Sequence, residues 1–415
     1  MISFIHTADI HFGVENYGKI DPQTGVHTRL LDFERALNAC IDYAIEQNVD
    51  LFVFAGDAYK TANPSPTQQK LLMKCLFRLY QAGIAVIIVV GNHDNPLSFG
   101  KATSLDVFGN IPIDGFHVVS KPKSFVVNTK NGPIQIVGIP WPARNNISIN
   151  TKHVLKTATE ITECISQNVA HLIEKFATEL DPAIPAILTG HLTVTSGIFS
   201  GSEKRAIFGN DPVFMPSQLA IAPFDYVALG HLHRYQNLNP NGYPALVYSG
   251  SIERVDFGER KEDKGFCHII IHDKGNTEHK FITSPMRKFI QIDCQLKPEE
   301  DLTQQLINEI LKHDITEAVV KIIYRLPMGV TDNVNLRIIQ ENCQQAMYLV
   351  GVIPIREFET RQNRAQNMKV DMDLYSLLNT YFAAKPEFSG KRESLIEKAL
   401  QLQESLDNQE IENEG

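Results

Sequence analysis

The chain has 415 residues, 43% of them hydrophobic and 21% charged. That is enough apolar material for two or three cored domains and too much for a disordered or fibrous chain. The 39 Lys and Arg against 48 Asp and Glu leave a formal net charge of −9, which disfavours a broad electrostatic grip on nucleic acid unless metal ions add positive charge locally.

The longest uninterrupted apolar run, Ile84–Val90, is far below the roughly 18 residues of a membrane span, so no membrane association is expected. Met1–Phe4 is not followed by a basic segment and a long apolar stretch, so no signal peptide is expected. Cys40, Cys75, Cys164, Cys267, Cys294 and Cys343 stand singly, without a CxxC pair. They read as reduced, mostly buried thiols of a cytoplasmic protein, not as a disulfide framework or a zinc site.

Up to residue 285 one pattern recurs: a short apolar strand, a Gly-containing polar turn, then an amphipathic helix. The spacing predicts strands at Ile2–Ile5, Leu51–Ala55, Ala85–Val90, Ile134–Ile139, Ala186–Thr189, Tyr226–Leu229 and Leu246–Tyr248. Between them, helical stripes are expected from Phe33, Leu37, Cys40, Ile41 and Ala44, from Leu72, Cys75, Leu76 and Leu79, and from Ile165, Val169, Leu172 and Phe176. This alternation implies a layered α/β domain with buried strands.

After a break at Ser284-Pro285, a small β-α-β-α-β domain is expected: Phe289–Leu296, a helix Glu299–Lys312, Ala318–Leu326, a helix Asn333–Leu349, and Val352–Phe358. Beyond it, Leu374, Leu377, Leu378, Tyr381 and Phe382 make one helical stripe and Leu395, Ala399, Leu402 and Leu406 another. The expected organisation is therefore 1–285, 286–360, a linker at 361–370, and terminal helices at 371–415. Two short amphipathic helices at a chain end have little of their own to bury, so they fold back or dock on a partner.

Five motifs follow predicted strands: Asp9-Ile10-His11, Gly56-Asp57, Gly91-Asn92-His93-Asp94, Gly190-His191 and Gly230-His231-Leu232-His233. The carboxyl ends of strands are where open α/β sheets gather ligand sites. Residues two apart on an extended segment share a face, which pairs Asp9 with His11 and His231 with His233. Any one of these histidines alone reads as a hydrogen-bonded structural residue, but five such motifs in one chain read as a site. Nitrogen and oxygen donors without sulfur suit a pair of divalent ions such as manganese, iron or zinc.

The set resembles the calcineurin-like metallophosphoesterase superfamily. The segments 5–13, Asn92-His93-Asp94 and 249–259 (Ser-Gly-Ser-Ile-Glu-Arg-Val-Asp-Phe-Gly-Glu) are further similar to the SbcD exonuclease family of double-strand-break repair nucleases. The resemblance spans nearly the whole chain. It implies a double β-sheet sandwich flanked by helices, with a small capping, DNA-binding domain and C-terminal helices.

It also implies two divalent metals, most simply Mn²⁺, with Asp9, His11, Asp57 and His233 on one and Asp57, Asn92, His191 and His231 on the other. His93 matches the catalytic histidine that protonates or stabilises the leaving oxygen. Asp94 reads as a turn or cap residue. In the archaeal and eukaryotic branch a second histidine follows the bridging Asp by three residues; here that position is Lys60. Lys60, Arg234 and Arg254, with Lys204-Arg205 and Arg260-Lys261, are the expected DNA contacts.

The activity implied is duplex exonuclease and single-strand or hairpin endonuclease cleavage in repair, recombination and replication. The partners implied are DNA, an SbcC-type ABC ATPase docked on the terminal helices, and a second copy of the chain. The setting would be cytoplasmic and nucleoid-associated. Two other readings stay open: a stand-alone phosphoesterase acting on small-molecule or protein phosphoesters, and a DNA-end scaffold with a decayed site. Occupation of all seven ligand positions and His93 by competent residues counts against decay.

Overall fold

The computed structural model describes residues 1–96, 101–110, 114–143, 158–201, 211–357, 374–383 and 386–413. Every strand expected before residue 285 forms. The strands assemble into two six-stranded sheets. The first runs Asn276–Thr283, Gly265–Asp273, Ile2–Thr7, Leu51–Phe54, Ala85–Val89, Phe116–Val119. The second runs Gln236–Asn237, Ala245–Tyr248, Tyr226–Gly230, Ala186–His191, Gly132–Ile139, Lys123–Thr129. In each, parallel strands occupy the interior and antiparallel strands close an edge.

Strand residues alternate between faces, and the core follows that alternation. Ile2, Phe4, Val53, Ile87 and Val89 of the first sheet meet Ile134, Ile136, Ile187, Tyr226 and Val247 of the second. On the outer face of the first sheet, Ile5, Phe52, Phe54, Val86 and Ile88 pack on Phe33, Leu37, Cys40, Leu72, Cys75 and Leu79. Those last residues belong to helices Thr28–Glu46 and Pro66–Gln81. Each fully buried Phe or Ile contributes about 1.5–3 kcal/mol relative to exposure, so two such interfaces fix the layers.

Helix Pro66–Gln81 starts where Ser65 and Gln68 form a reciprocal capping box with Pro66 in the first turn. Helix Ala158–Glu179 covers the second sheet with Ile165, Val169, Ile173 and Ala177. Leu172 and Phe176 of the expected stripe are only half-buried, a face shifted by one residue.

Five strands of these sheets lie outside the expected set: Phe116–Val119, Lys123–Thr129, Gln236–Asn237 and Asn276–Thr283 at sheet edges, and Gly265–Asp273 inside the first sheet. In an edge strand such as Asn276–Thr283 only one face turns toward the core, so polar residues such as Glu278 and Lys280 interrupt the run.

Beyond residue 285, strands Phe289–Gln295, Val319–Pro327 and Tyr348–Glu357 form a three-stranded sheet, with helices at Leu302–Ile310 and Leu336–Asn342. The second helix is shorter than expected. Asn335 caps its start, and the amides of Met347 and Tyr348 turn back to the carbonyl of Ala318, drawing the chain into the last strand.

The chain divides into two compact units, one of Met1–Asp293, Leu306–Ile323 and Asn335–Ile353, the other of Cys294–Gln305, Tyr324–Val334 and Pro354–Gly415. In the second unit, helix Leu374–Ala383 packs with helix Arg392–Asn413, and Arg392 donates to Asn379. The expected linker at 361–370 lies outside the described residues. No described helix is long and apolar enough to cross a membrane.

Candidate metal centre

Parallel strands of both sheets deliver their carboxyl ends to one place. Ile2–Thr7 leads to Asp9 and His11, Leu51–Phe54 to Asp57, and Ala85–Val89 to Asn92 and His93. From the second sheet, Ala186–His191 ends on His191, and Tyr226–Gly230 leads to His231 and His233. The first two loops are hydrogen-bonded to each other: the amides of Asp9, His11 and Phe12 donate to the carbonyls of Gly56, Asp57 and Ala58 at 2.9–3.0 Å.

The loops are strained. Asp9, His11, Asp57 and His231 have φ of 54°, 52°, 59° and 103°, the left-handed region that costs about 1–3 kcal/mol per non-Gly residue and persists where surroundings over-determine it. Asp94 supplies some of that constraint. It is fully buried and accepts amides from Gly91, Ala58 and Tyr59 at 3.0–3.2 Å, tying the Asp57 loop to the His93 loop. It does not contact His93 in any of these bonds.

Glycine is required here for close approach as much as for its torsions. A Cβ at Gly91 would lie 2.1 Å from Asp57 Oδ1 and 2.4 Å from the Asp57 nitrogen. Gly91→Ala should therefore displace Asp57 and lower phosphoester hydrolysis by at least about a hundredfold, as ångström misplacements of reacting groups do. Parental turnover on a model phosphodiester would contradict this.

Donor atoms converge. Three overlapping groups, Asp9–His11–His233, His11–Asp57–His93 and Asp9–Asp57–His191, each hold their ligand atoms within 4.8 Å of one another. Asp57 Oδ2 stands between two rings, 3.6 Å from His11 Nε2 and 3.4 Å from His191 Nε2. Its Oδ1 accepts the His93 amide at 2.9 Å. Asn92 Oδ1 lies 2.9 Å from His191 Nε2 and 3.2 Å from His231 Nδ1.

The ring orientations follow from bonds behind the site. His191 Nδ1 donates to the Ala55 carbonyl at 2.8 Å and His233 Nδ1 to Glu259 Oε1 at 2.8 Å. With those hydrogens committed, the Nε2 lone pairs face other acceptors; His233 Nε2 is 3.0 Å from His11 Nε2. Acceptors facing acceptors in a buried crevice need a cation or a proton between them. The donor set therefore fits divalent metal ions, with hard-to-borderline nitrogen and oxygen ligands.

Without metal, protons fill that role. Burial opposes a charge on His191, but Asp57 overrides it and lifts the imidazole to about 9. Burial also pushes Asp57 up, yet His191, His93 and His11 hold it well below the carboxylate range. Asp9 is raised to about 7 by burial against His191 and His233. His231 falls to about 3 through burial, with His191 adding to it.

Metal must displace the His191 proton below about 9 and the Asp9 proton below about 7. Affinity should weaken as pH falls, by about tenfold per unit per proton displaced. Calorimetry of Mn²⁺ binding in buffers of different ionisation enthalpy reads the released protons. A pH-independent affinity with no proton release would refute this.

The remaining expected contacts are placed as follows. His93 is half-buried, its ring 4.8 Å from and edge-on to His11, and its Nδ1 donates to the Lys60 carbonyl at 2.8 Å. Lys60 and Arg234 are exposed beside the centre. Arg254 is 9% exposed, and its guanidinium donates to the carbonyls of Arg287 and Glu262 at 2.7 and 3.0 Å. Its side chain thus ties its loop to the segment that follows strand Asn276–Thr283. Arg260 donates to the Phe257 carbonyl and Lys261 is exposed. Lys204 and Arg205 lie outside the described residues.

Three further residues border the centre, of which only Glu259, inside the 249–259 segment, lies in a motif. Trp141 sits over His231, ring centroids 5.0 Å apart. Asp211 Oδ2 lies 3.9 Å from His231 Nε2, and burial lifts its carboxyl to about 6. Glu259 holds His233 through the bond to its Nδ1.

Residues 2–235 match the family described as calcineurin-like phosphoesterase. Among solved structures, a dimetal phosphatase from Danio rerio is 11% identical at a TM-score of 0.37, covering 68% of this chain and 98% of its own. A protein of Thermus thermophilus is 12% identical at 0.36, with the same coverage of 68% and 98%. Phosphopantetheinyl hydrolase from Mycobacterium tuberculosis is 15% identical at 0.29, covering 59% and 87%.

Proposed function

The chain belongs to the calcineurin-like phosphoesterase family, and on that footing we propose that it is the nuclease subunit of an SbcCD-type complex. It is a metal-dependent phosphoester hydrolase of a family that uses two divalent metals. In this reading the ions are Mn²⁺ and the substrate is DNA, cut as a duplex exonuclease and as a single-strand or hairpin endonuclease in repair, recombination and replication.

The convergence of Asp9, His11, Asp57, Asn92, His191, His231 and His233 carries the hydrolytic part of the reading. Bound cations would withdraw charge from phosphoryl oxygens and lower the pKa of water. In this reading Asp57 would be the ligand common to both ions, which its position between the rings of His11 and His191 supports. His93 has its Nδ1 hydrogen committed to the Lys60 carbonyl, so Nε2 is the nitrogen that can pass a proton to the leaving sugar oxygen. Lys60 and Arg234, exposed at the rim, can meet neighbouring phosphates as point charges.

What favours DNA is that the 249–259 segment, which carries the nuclease resemblance, abuts the centre: Ser251 bridges to Ala8, and Glu259 bonds His233. A second copy of the chain is supported by Met73, Phe77 and Tyr80 on helix Pro66–Gln81, which are 39%, 40% and 37% exposed. An ATPase partner is supported by Tyr375, Tyr381, Leu395 and Leu402, exposed apolar residues of the paired terminal helices.

The net charge of −9 favours the alternative, a stand-alone phosphoesterase on small or protein substrates. The deciding experiment incubates the protein and Mn²⁺ with linear duplex, hairpin and single-stranded DNA, with and without an ATPase partner and ATP. Cleavage of ends and hairpins that weakens with salt is expected. A model phosphomonoester hydrolysed much faster than any DNA would favour the alternative instead.

A further inference from the structure

His233 is gripped from behind by a buried ion cluster. Glu259 and Lys264 have fully buried side chains, with the Lys264 ammonium 3.1 Å from Glu259 Oε2. The same ammonium donates to Glu262 Oε2 at 3.1 Å and to the His233 carbonyl at 2.8 Å. Glu259 spends Oε1 on His233 Nδ1 at 2.8 Å and takes the Val255 amide on Oε2 at 2.8 Å. Lys264 therefore holds His233 twice, directly at its backbone and through Glu259 at its ring.

Burying such a pair carries a desolvation penalty that apolar residues of similar volume would avoid. Stability alone gives no reason for charges at these positions. Placement of the imidazole does. A carboxylate on Nδ1 fixes the tautomer with the lone pair on Nε2, fixes the ring plane, and makes Nε2 a stronger electron donor. Nε2 is the atom that faces His11 Nε2 at 3.0 Å, within the group that includes Asp9.

We propose that Glu259, itself anchored by Lys264, is a positioning residue that sets how tightly His233 holds the first metal ion. The inference rests on the reading of these residues as a metal centre. The corresponding role on the other ring is filled differently, since the partner behind His191 is the Ala55 carbonyl. The first ion should therefore depend on Glu259 and the second should not.

The test is calorimetric titration of the full-length protein with Mn²⁺, alongside melting of the metal-free form. Glu259→Gln should raise the dissociation constant of one ion by about tenfold to a hundredfold, with the other changed little. The double variant Glu259→Leu/Lys264→Met removes both charges of the pair but leaves the Val255 amide and the His233 carbonyl without these partners, so its metal-free melting temperature should fall modestly while the same ion binds more weakly. A purely structural pair predicts lowered melting with parental affinity. If the double variant folds and binds both ions as the parent does, the proposal is wrong; if it fails to fold, the claim that the pair is not a folding requirement is wrong. A parent protein that takes up no divalent ion would instead refute the metal-centre reading itself.

Discussion

Asp57→Asn should abolish measurable phosphoester hydrolysis, a fall of at least about a thousandfold given the several kcal/mol that metal-centred charge stabilisation supplies. The change is small in shape. An amide oxygen can still accept the His93 amide that Asp57 Oδ1 accepts at 2.9 Å, so the loop geometry is retained. What disappears is the negative oxygen between His11 and His191, at 3.6 and 3.4 Å. No other carboxylate reaches that point from the same loop. Calorimetry should show fewer ions bound, and without metal the His191 imidazole should lose its proton at a lower pH, because Asp57 is what raises it. A variant keeping a tenth or more of parental turnover with full metal uptake would remove Asp57 from the shared position.

If the chain is the nuclease proposed above, with His93 as its general acid, His93→Gln should lower DNA cleavage by about a hundredfold to ten-thousandfold, the usual worth of such a group, while metal affinity stays parental. The discriminating measurement is leaving-group dependence. A sugar alkoxide needs a proton as it departs; a nitrophenolate does not. The variant should therefore be severely impaired on DNA and nearly normal on a phosphodiester with a nitrophenolate leaving group. Equal loss on both would assign His93 to binding or to the metal cluster, where its proximity to His11 and Asp57 also places it.

The roles of neighbours illustrate how little adjacency in sequence decides. Asp94 follows His93 directly, yet its carboxylate faces the other way and accepts three backbone amides. The acceptor that orients His93 is the carbonyl of Lys60, 33 positions earlier. The side chain and the backbone of Lys60 serve separate ends: one exposed charge at the rim, one fixed acceptor beneath the His93 ring. Arg254 shows the opposite limit. Its charge and its place in a loop near the motifs suggest a phosphate contact, but its guanidinium is used on the carbonyls of Arg287 and Glu262.

The sequence by itself determined the layered α/β plan and the strand-end motifs that the fold brings together. Interior strands bury both faces and read as apolar runs, helices repeat near 3.6 residues, and each ligand motif follows a strand within a few positions; all of these are local signals. Edge strands such as Asn276–Thr283 bury one face and were correspondingly faint. Only the tertiary structure decided which nitrogen of each ring looks inward, why Gly91 tolerates no side chain, and that Glu259 and Lys264 stand behind His233. Those facts depend on atoms brought within 3 Å across tens to hundreds of residues, and a contact of that kind leaves no periodicity in the chain that makes it.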